Sequence, residues 1–260
     1  MRVENSFIGV EGVGERTERS LWEAGVTHWD DFDPRHVGET RAERIEAFLE
    51  RGRDALADED VGFFDRAFPG REQWRLWRTF RERACAFDIE TTGLEAERSV
   101  VTTVSLHQAG KTRTLGRGDD LTAEALQAAF ADADLLVSFN GKRFDVPFLE
   151  HHFDVDLDRP HLDVMYPARQ AGLSGGLKAV ERSLGVERDL PEVDGREAVR
   201  LWHAHEAGRD GALERLIRYN REDVTTLPTV LDHVVEHLTP APVAEAADRP
   251  PAAGAEDGER

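Results

Sequence analysis

The stretch ACAFDIETTGL, residues 84–94, constrains the fold more than any other part of this 260-residue chain. It is an apolar run that ends in two carboxylates, Asp88 and Glu90, two residues apart. In a β-strand a period of two sends both side chains to the same face. An Asp-x-Glu pair by itself is common on exposed strands. Here the run is apolar enough to be buried, and it leads straight into the turn Thr91, Thr92, Gly93. Two like charges brought out of water side by side are costly, and a hard divalent cation is the natural compensation.

The surrounding pattern is that of an α/β chain. An apolar strand up to Glu90 is followed by alternation in SVVTTVSLHQ, a short strand over 112–115, a helix over 123–131 and a strand over 135–138. Beyond Phe144 most segments read as helices, among them 176–184, 196–206 and 212–238. The length suits one main core with a small appendage.

Two more acidic elements follow the first. In LLVSFNGKRFDVPFLEHHF a strand runs through Asn140 and Gly141 into a helix that carries Asp145. In YNREDVTTL, Tyr219 and Asp223 are four apart on a helix, so a phenol and a carboxylate share one face. The ordered set Asp-x-Glu, Asn-x-x-x-Phe-Asp, Tyr-x-x-x-Asp resembles the DEDD, or DnaQ-like, exonuclease superfamily over roughly 84–237. The tyrosine is that of the DEDDy branch, and Arg218 stands five before Asp223 where the other branch has histidine. Within the superfamily, LVSFNGKRFDVPFL, HLDVMYPAR, SGGLKAVERSLGV and DGREAVRLW resemble the YprB-type RNase H-like group.

The resemblance implies an RNase H-like mixed sheet flanked by helices and a metal-dependent 3′-to-5′ exonuclease acting on single-stranded DNA or RNA ends. It implies two divalent cations, Mg²⁺ or Mn²⁺, held by Asp88, Glu90, Asp145 and Asp223, with Tyr219 orienting the attacking water. Thr91, Asn140 and Lys178 are candidate substrate contacts, although Lys178 equally suits a solvated helix surface. Asp163 either supports the metal site or caps the following helix. Two rival readings are an RNase H-like endonuclease and a nucleic-acid-binding module without turnover.

The first 58 residues contain a weak repeat, VGERTERSL at 13–21 and VGETRAERI at 37–45, each opening a helix after a glycine. This small all-α segment resembles helix-hairpin-helix modules, in which Gly12 and Gly14 would bring backbone N–H groups to a phosphate. Glu18 stands where such modules have alanine, and the second copy lacks the paired glycine. Packing or docking of an unidentified protein is the alternative. Residues 59–83 read as a connector followed by the helix REQWRLWRTF, whose Trp74 and Trp77 are expected to pack against the domain at 84–238. The Pro-, Ala- and acid-rich tail at 239–260 is expected to be disordered.

A formal charge of −19 would ordinarily argue against a polyanionic partner. Only three of the 33 basic residues are lysines, beside 52 carboxylates, a bias that resembles proteins of high-salt, halophilic cytoplasms. At about 1 M salt the Debye length is about 3 Å, so distant carboxylates barely repel a phosphate chain. The single cysteine, Cys85, sits in an apolar setting that suits a buried hydrophobe. The histidine pairs lack a third ligand and read as ordinary. No apolar run is long enough to cross a membrane, and MRVENSFIGV lacks the marks of a signal peptide, so a cytoplasmic location is expected.

Overall fold

The computed structural model describes residues 1–247. The first part is helical: α1 (Glu15–Glu23), α2 (Glu39–Ala57), α3 (Val61–Ala67), a 3-10 segment at Gly70–Leu76 and α4 (Trp77–Phe80). Then come β1 (Ala84–Thr91), β2 (Val101–Gln108), β3 (Lys111–Gly116), α5 (Ala123–Phe130), β4 (Leu135–Ser138), α6 (Asp145–Phe153) and β5 (His161–Asp163). The chain continues through α7 (Met165–Gln170), α8 (Leu177–Leu184), α9 (Gly195–Glu206), α10 (Ala212–Leu238) and α11 (Ala241–Ala247). The five strands form one mixed sheet in the order β3-β2-β1-β4-β5, with β1, β4 and β5 parallel and β2 antiparallel to its neighbours. This is the α/β architecture expected from the sequence.

The alternation in β1 decides what each face of the sheet meets. Cys85, Phe87 and Ile89 point into a cluster with Leu126, Phe130, Phe148 and Leu149 of α5 and α6. Ala84 and Ala86, with Leu135 and Val137 of the paired β4, belong to the opposite cluster, which α10 fills with Val224, Leu227 and Leu231. Small side chains at 84 and 86 leave space for a helix to lie close to the central strand. The same parity continues to Asp88 and Glu90, so α10 crosses the face from which both carboxylates project.

The N-terminal segment shares that second cluster. Val3, Phe7, Trp29 and Phe48 pack with Phe64 and Phe80, and the cluster runs on into α10. Glu18 explains its departure from the helix-hairpin-helix pattern. It is fully buried, it accepts hydrogen bonds from Ser6 Oγ and from the Phe7 and Ile8 N–H groups, and it pairs with Arg75 at 2.8 Å. Arg75 in turn pairs with Glu72 at 2.7 Å, so this buried ionic group ties α1 to the 3-10 segment. Removing one member of such a group costs about 3–5 kcal/mol because its partner is left buried and uncompensated.

Three expectations need correction. REQWRLWRTF forms a 3-10 segment followed by the single turn of α4 rather than one helix, although Trp74 and Trp77 pack as expected, each 3% exposed. The three residues of β5 were not expected as a strand; they are added at the sheet edge beside β4. The tail does not begin at 239, because α11 buries Val243 and the Met1 ammonium donates to Thr239 Oγ1 at 2.8 Å. The remainder of the expected tail, 248–260, lies outside the described residues.

Candidate active site

Asp88 and Glu90 lie towards the C-terminal end of β1, and Asp223 faces them from α10. Ligand oxygens from these three side chains all lie within 4.8 Å of one another. Asp145 falls outside that group of three but adjoins it. It opens α6 and accepts a hydrogen bond from the Ile89 N–H, the backbone donor between Asp88 and Glu90, at 3.1 Å. The turn that delivers Asp145 is tightly built. Asn140 adopts a left-handed conformation (φ 65°), and a Cβ on Gly141 would lie 2.2 Å from Ser138 Oγ.

The electrostatics of this recess are set by desolvated, mutually repelling carboxylates. Burial, reinforced by the other carboxylates, pushes the Asp88 and Glu90 carboxyls well above the usual range. Burial raises Asp145 to about 7 against the opposing hydrogen bond from Ile89. Burial raises Asp223 to about 6, with the Arg188 guanidinium pulling it back down. Asn220 donates through Nδ2 to Asp88 Oδ2 at 2.7 Å, while its own Oδ1 is buried without a partner among the described residues. Crowded carboxylates, half-buried at Asp88 and Glu90 and buried at Asp145 and Asp223, form a set of hard oxygen donors, which suits Mg²⁺ or Mn²⁺.

Tyr219 and Asp223 share the buried face of α10, as their spacing requires. Burial, followed by the nearby carboxylates, pushes the Tyr219 phenol far up, so it stays protonated at neutral pH. Two cations lie over its ring: Lys178 Nζ is 4.7 Å and the Arg188 guanidinium 5.5 Å from the ring centroid. Lys178 Nζ is buried and makes no hydrogen bond to a described residue. Burial and the neighbouring Arg188 lower its pKa, opposed by the attraction of Asp223.

The other candidate contacts divide. The Thr91 hydroxyl donates to Gly93 O at 2.5 Å and so serves the turn after β1. The Asn140 N–H is held by Asp163 Oδ1 at 2.7 Å, which makes Asp163 a clamp on the 140–145 turn as well as the acceptor for the Met165 N–H. Gly12 (φ 84°) and Gly14 are exposed near the start of α1. They belong to the N-terminal segment, and neither joins the carboxylate group.

Two side chains that contact the carboxylates were not singled out from the sequence. Asn220 sits between Tyr219 and Arg221 with no signal beyond its place in the third acidic element. Arg188 lies in the loop between α8 and α9. It is 5% exposed and binds Glu181 at 2.8 Å, Glu222 at 3.2 Å and the Asp223 carboxylate. In ERDLPEVDG nothing sets it apart from the chain's other arginines.

A recess of carboxylates at the end of the central strand, with the sheet order described above, defines a nuclease of the RNase H class. The RNase_H_2 family model, of the RNase_H superfamily, matches residues 85–235, and the chain belongs to that superfamily. Among solved structures it is similar to the apo form of a nuclease, at 22% identity over 64% of this chain and 77% of that one (TM-score 0.47). It is also similar to the family B DNA polymerase of the archaeon Pyrobaculum calidifontis, at 18% identity over 63% of this chain and 26% of that one (TM-score 0.48). A third likeness is to Brucella melitensis NrnC bound to pGG, at 20% identity over 65% and 79% (TM-score 0.46). These likenesses add nothing to the family assignment. No curated protein matches the chain. Among the described residues no helix is long and apolar enough to cross a membrane.

Proposed function

We propose that the protein is a 3′-to-5′ exonuclease of the DEDDy type that hydrolyses phosphodiester bonds of single-stranded nucleic acid. The observation that carries this reading is the convergence of Asp88, Glu90 and Asp223 within 4.8 Å, beside Asp145 and on the helix face that carries Tyr219. Asp88, Glu90 and Asp223 would hold one divalent cation, and Asp88 with Asp145 a second. Bound there, the cations would supply Lewis acidity and neutralise charge developing on the phosphate.

The chain's own residues do the rest. Asn220 fixes the Asp88 carboxylate through Oδ2, and the Ile89 N–H fixes that of Asp145. Tyr219, protonated, would orient the attacking water by a hydrogen bond rather than take its proton. Lys178, whose Nζ is buried with no hydrogen-bond partner among the described residues, would contact a phosphate oxygen of the substrate. The YprB-type grouping and the helix-hairpin-helix resemblance of the first segment belong to the same reading, as do a cytoplasmic location and a high-salt setting.

The test is incubation of the purified protein with end-labelled DNA and RNA, with Mg²⁺ or Mn²⁺ and at high KCl. A ladder shortening from the 3′ end is expected, and Asp88→Ala should abolish it without altering the far-ultraviolet circular dichroism. An internal cut would favour the endonuclease reading. Binding without any cleavage would favour a module that has lost turnover.

A further inference from the structure

Against the 140–145 turn, through Lys142, lies a cleft of about 580 Å³, bounded by the 3-10 segment Gly70–Leu76, the end of β5 and α7. Its size falls within the roughly 300–1,000 Å³ of ligand-binding sites. The cleft and the acidic centre share a wall. Lys142 and Asp163 line the cleft, while a Cβ on the adjoining Gly141 would lie 3.4 Å from Asp145 Oδ2. Both also lie at C-terminal ends of parallel strands, β1 for the acidic centre and β5 for the cleft, where open α/β sheets bind ligands.

The lining has the chemistry of a nucleotide. Tyr166 is 43% exposed, one of two large apolar side chains so exposed among the described residues. Trp74 is 3% exposed, and its buried indole N–H has no hydrogen-bond partner there. Arg71 and Lys142 supply positive charge. Arg71 is engaged by Glu15 and Glu72, whereas the Lys142 ammonium lies within 4 Å of no described carboxylate, although its charge acts on Asp65 and Asp163, and it donates to Gln73 Oε1 at 3.3 Å. The one carboxylate of the lining, Asp163, is occupied by the N–H groups of Asn140, Lys142 and Met165. Lys142 and Tyr166 line the same cleft, so one cleft holds both a cation and an exposed aromatic ring.

We propose that this cleft is a second nucleotide subsite, in which Tyr166 stacks on a base and Lys142 contacts a phosphate of the strand whose scissile bond lies at the acidic centre. The proposal rests on the nuclease reading and adds to it a role for the N-terminal part: the 3-10 segment completes a substrate groove that the RNase H-like core alone would leave open. A dinucleotide fills the acidic centre only. A longer strand reaches the cleft.

The experiment compares unsubstituted protein, Tyr166→Ala and Lys142→Ala on a dinucleotide and on a labelled single-stranded dodecanucleotide. Loss of one base-stacking contact should raise KM for the dodecamer about tenfold, leaving kcat and the dinucleotide kinetics unchanged. The Lys142→Ala deficit should fade as KCl approaches about 1 M, because phosphate contacts are screened, whereas the Tyr166→Ala deficit should persist. Fluorescence anisotropy of the labelled dodecamer without divalent cation reads the cleft independently of hydrolysis. If the unsubstituted protein bound the dodecamer but hydrolysed neither substrate, the nuclease reading would fall, and weaker binding by Tyr166→Ala would still support the subsite. Equal dodecamer affinity in Tyr166→Ala and unsubstituted protein, or an equal KM change on both lengths, would overturn it.

Discussion

Replacing Arg188 by methionine keeps a long, flexible side chain in place while removing one guanidinium from a buried group of three carboxylates. The Arg188 and Glu181 side chains are 5% and 1% exposed, and without the guanidinium Glu181 keeps, among the described residues, only the Thr226 hydroxyl as a hydrogen-bond partner. Stranding a buried carboxylate in this way costs about 3–5 kcal/mol. For a chain of this size each kcal/mol lowers the melting temperature by about 2–4 °C, so Arg188→Met should melt about 6–20 °C lower. The loss should depend on pH with a definite sign. Asp223 already has a folded-state pKa raised to about 6, and it loses the charge that pulled it down. A carboxyl with a raised folded pKa binds more protons folded than unfolded, so its penalty is absent well below pH 4 and grows as pH rises through the folded pKa. The assay is scanning fluorimetry from pH 4 to 8 in a chelator, with Arg188→Met/Glu181→Met as the control that removes the stranded charge and should recover most of the stability. A single variant melting within about 2 °C of the unsubstituted protein at pH 8 would refute the reasoning.

Three further outcomes are expected. Tyr219→Phe removes only the hydroxyl, so the single-turnover rate should fall by roughly 10²-fold while substrate affinity, read by anisotropy, holds; an unchanged rate would leave Tyr219 as a core residue. Deleting residues 1–58 strips Phe7, Trp29 and Phe48 from the shared apolar cluster and Glu18 from Arg75, so the truncated chain should lose its cooperative melt and its near-ultraviolet circular dichroism; a sharp, unshifted melt would show the segment to be separable. His161 is held neutral by burial, its pKa lowered to about 3, with Nε2 bonded to Ser138 Oγ at 2.7 Å. A depressed histidine opposes folding once the unfolded chain protonates, so stability should fall from about pH 6.5 down towards 3. His161→Gln should flatten that acid limb, and melting curves that stay parallel across this range would contradict the assignment.

The acidic centre was legible because periodicity states which side chains share a face. Asp88 and Glu90 share one by the two-residue period of a strand, Tyr219 and Asp223 by the turn of a helix, and both statements survive any packing of the elements. Helices 212–238 and 176–184 and the strand over 135–138 were legible for the same reason. Periodicity says nothing of partners. That Asn220 would meet Asp88, 132 residues earlier, and that Arg188 rather than another arginine would meet Asp223, followed only from α10 lying across Ala84 and Ala86. The three-residue strand at His161–Asp163 is too short to display a period, and it exists because β4 offered it an open edge. Glu18 looked like a flaw in a glycine hairpin until folding placed the Ser6, Phe7 and Ile8 donors and Arg75 around it. Local pattern is written in the order of residues, whereas the satisfaction of a buried charge depends on groups that meet only when distant segments pack.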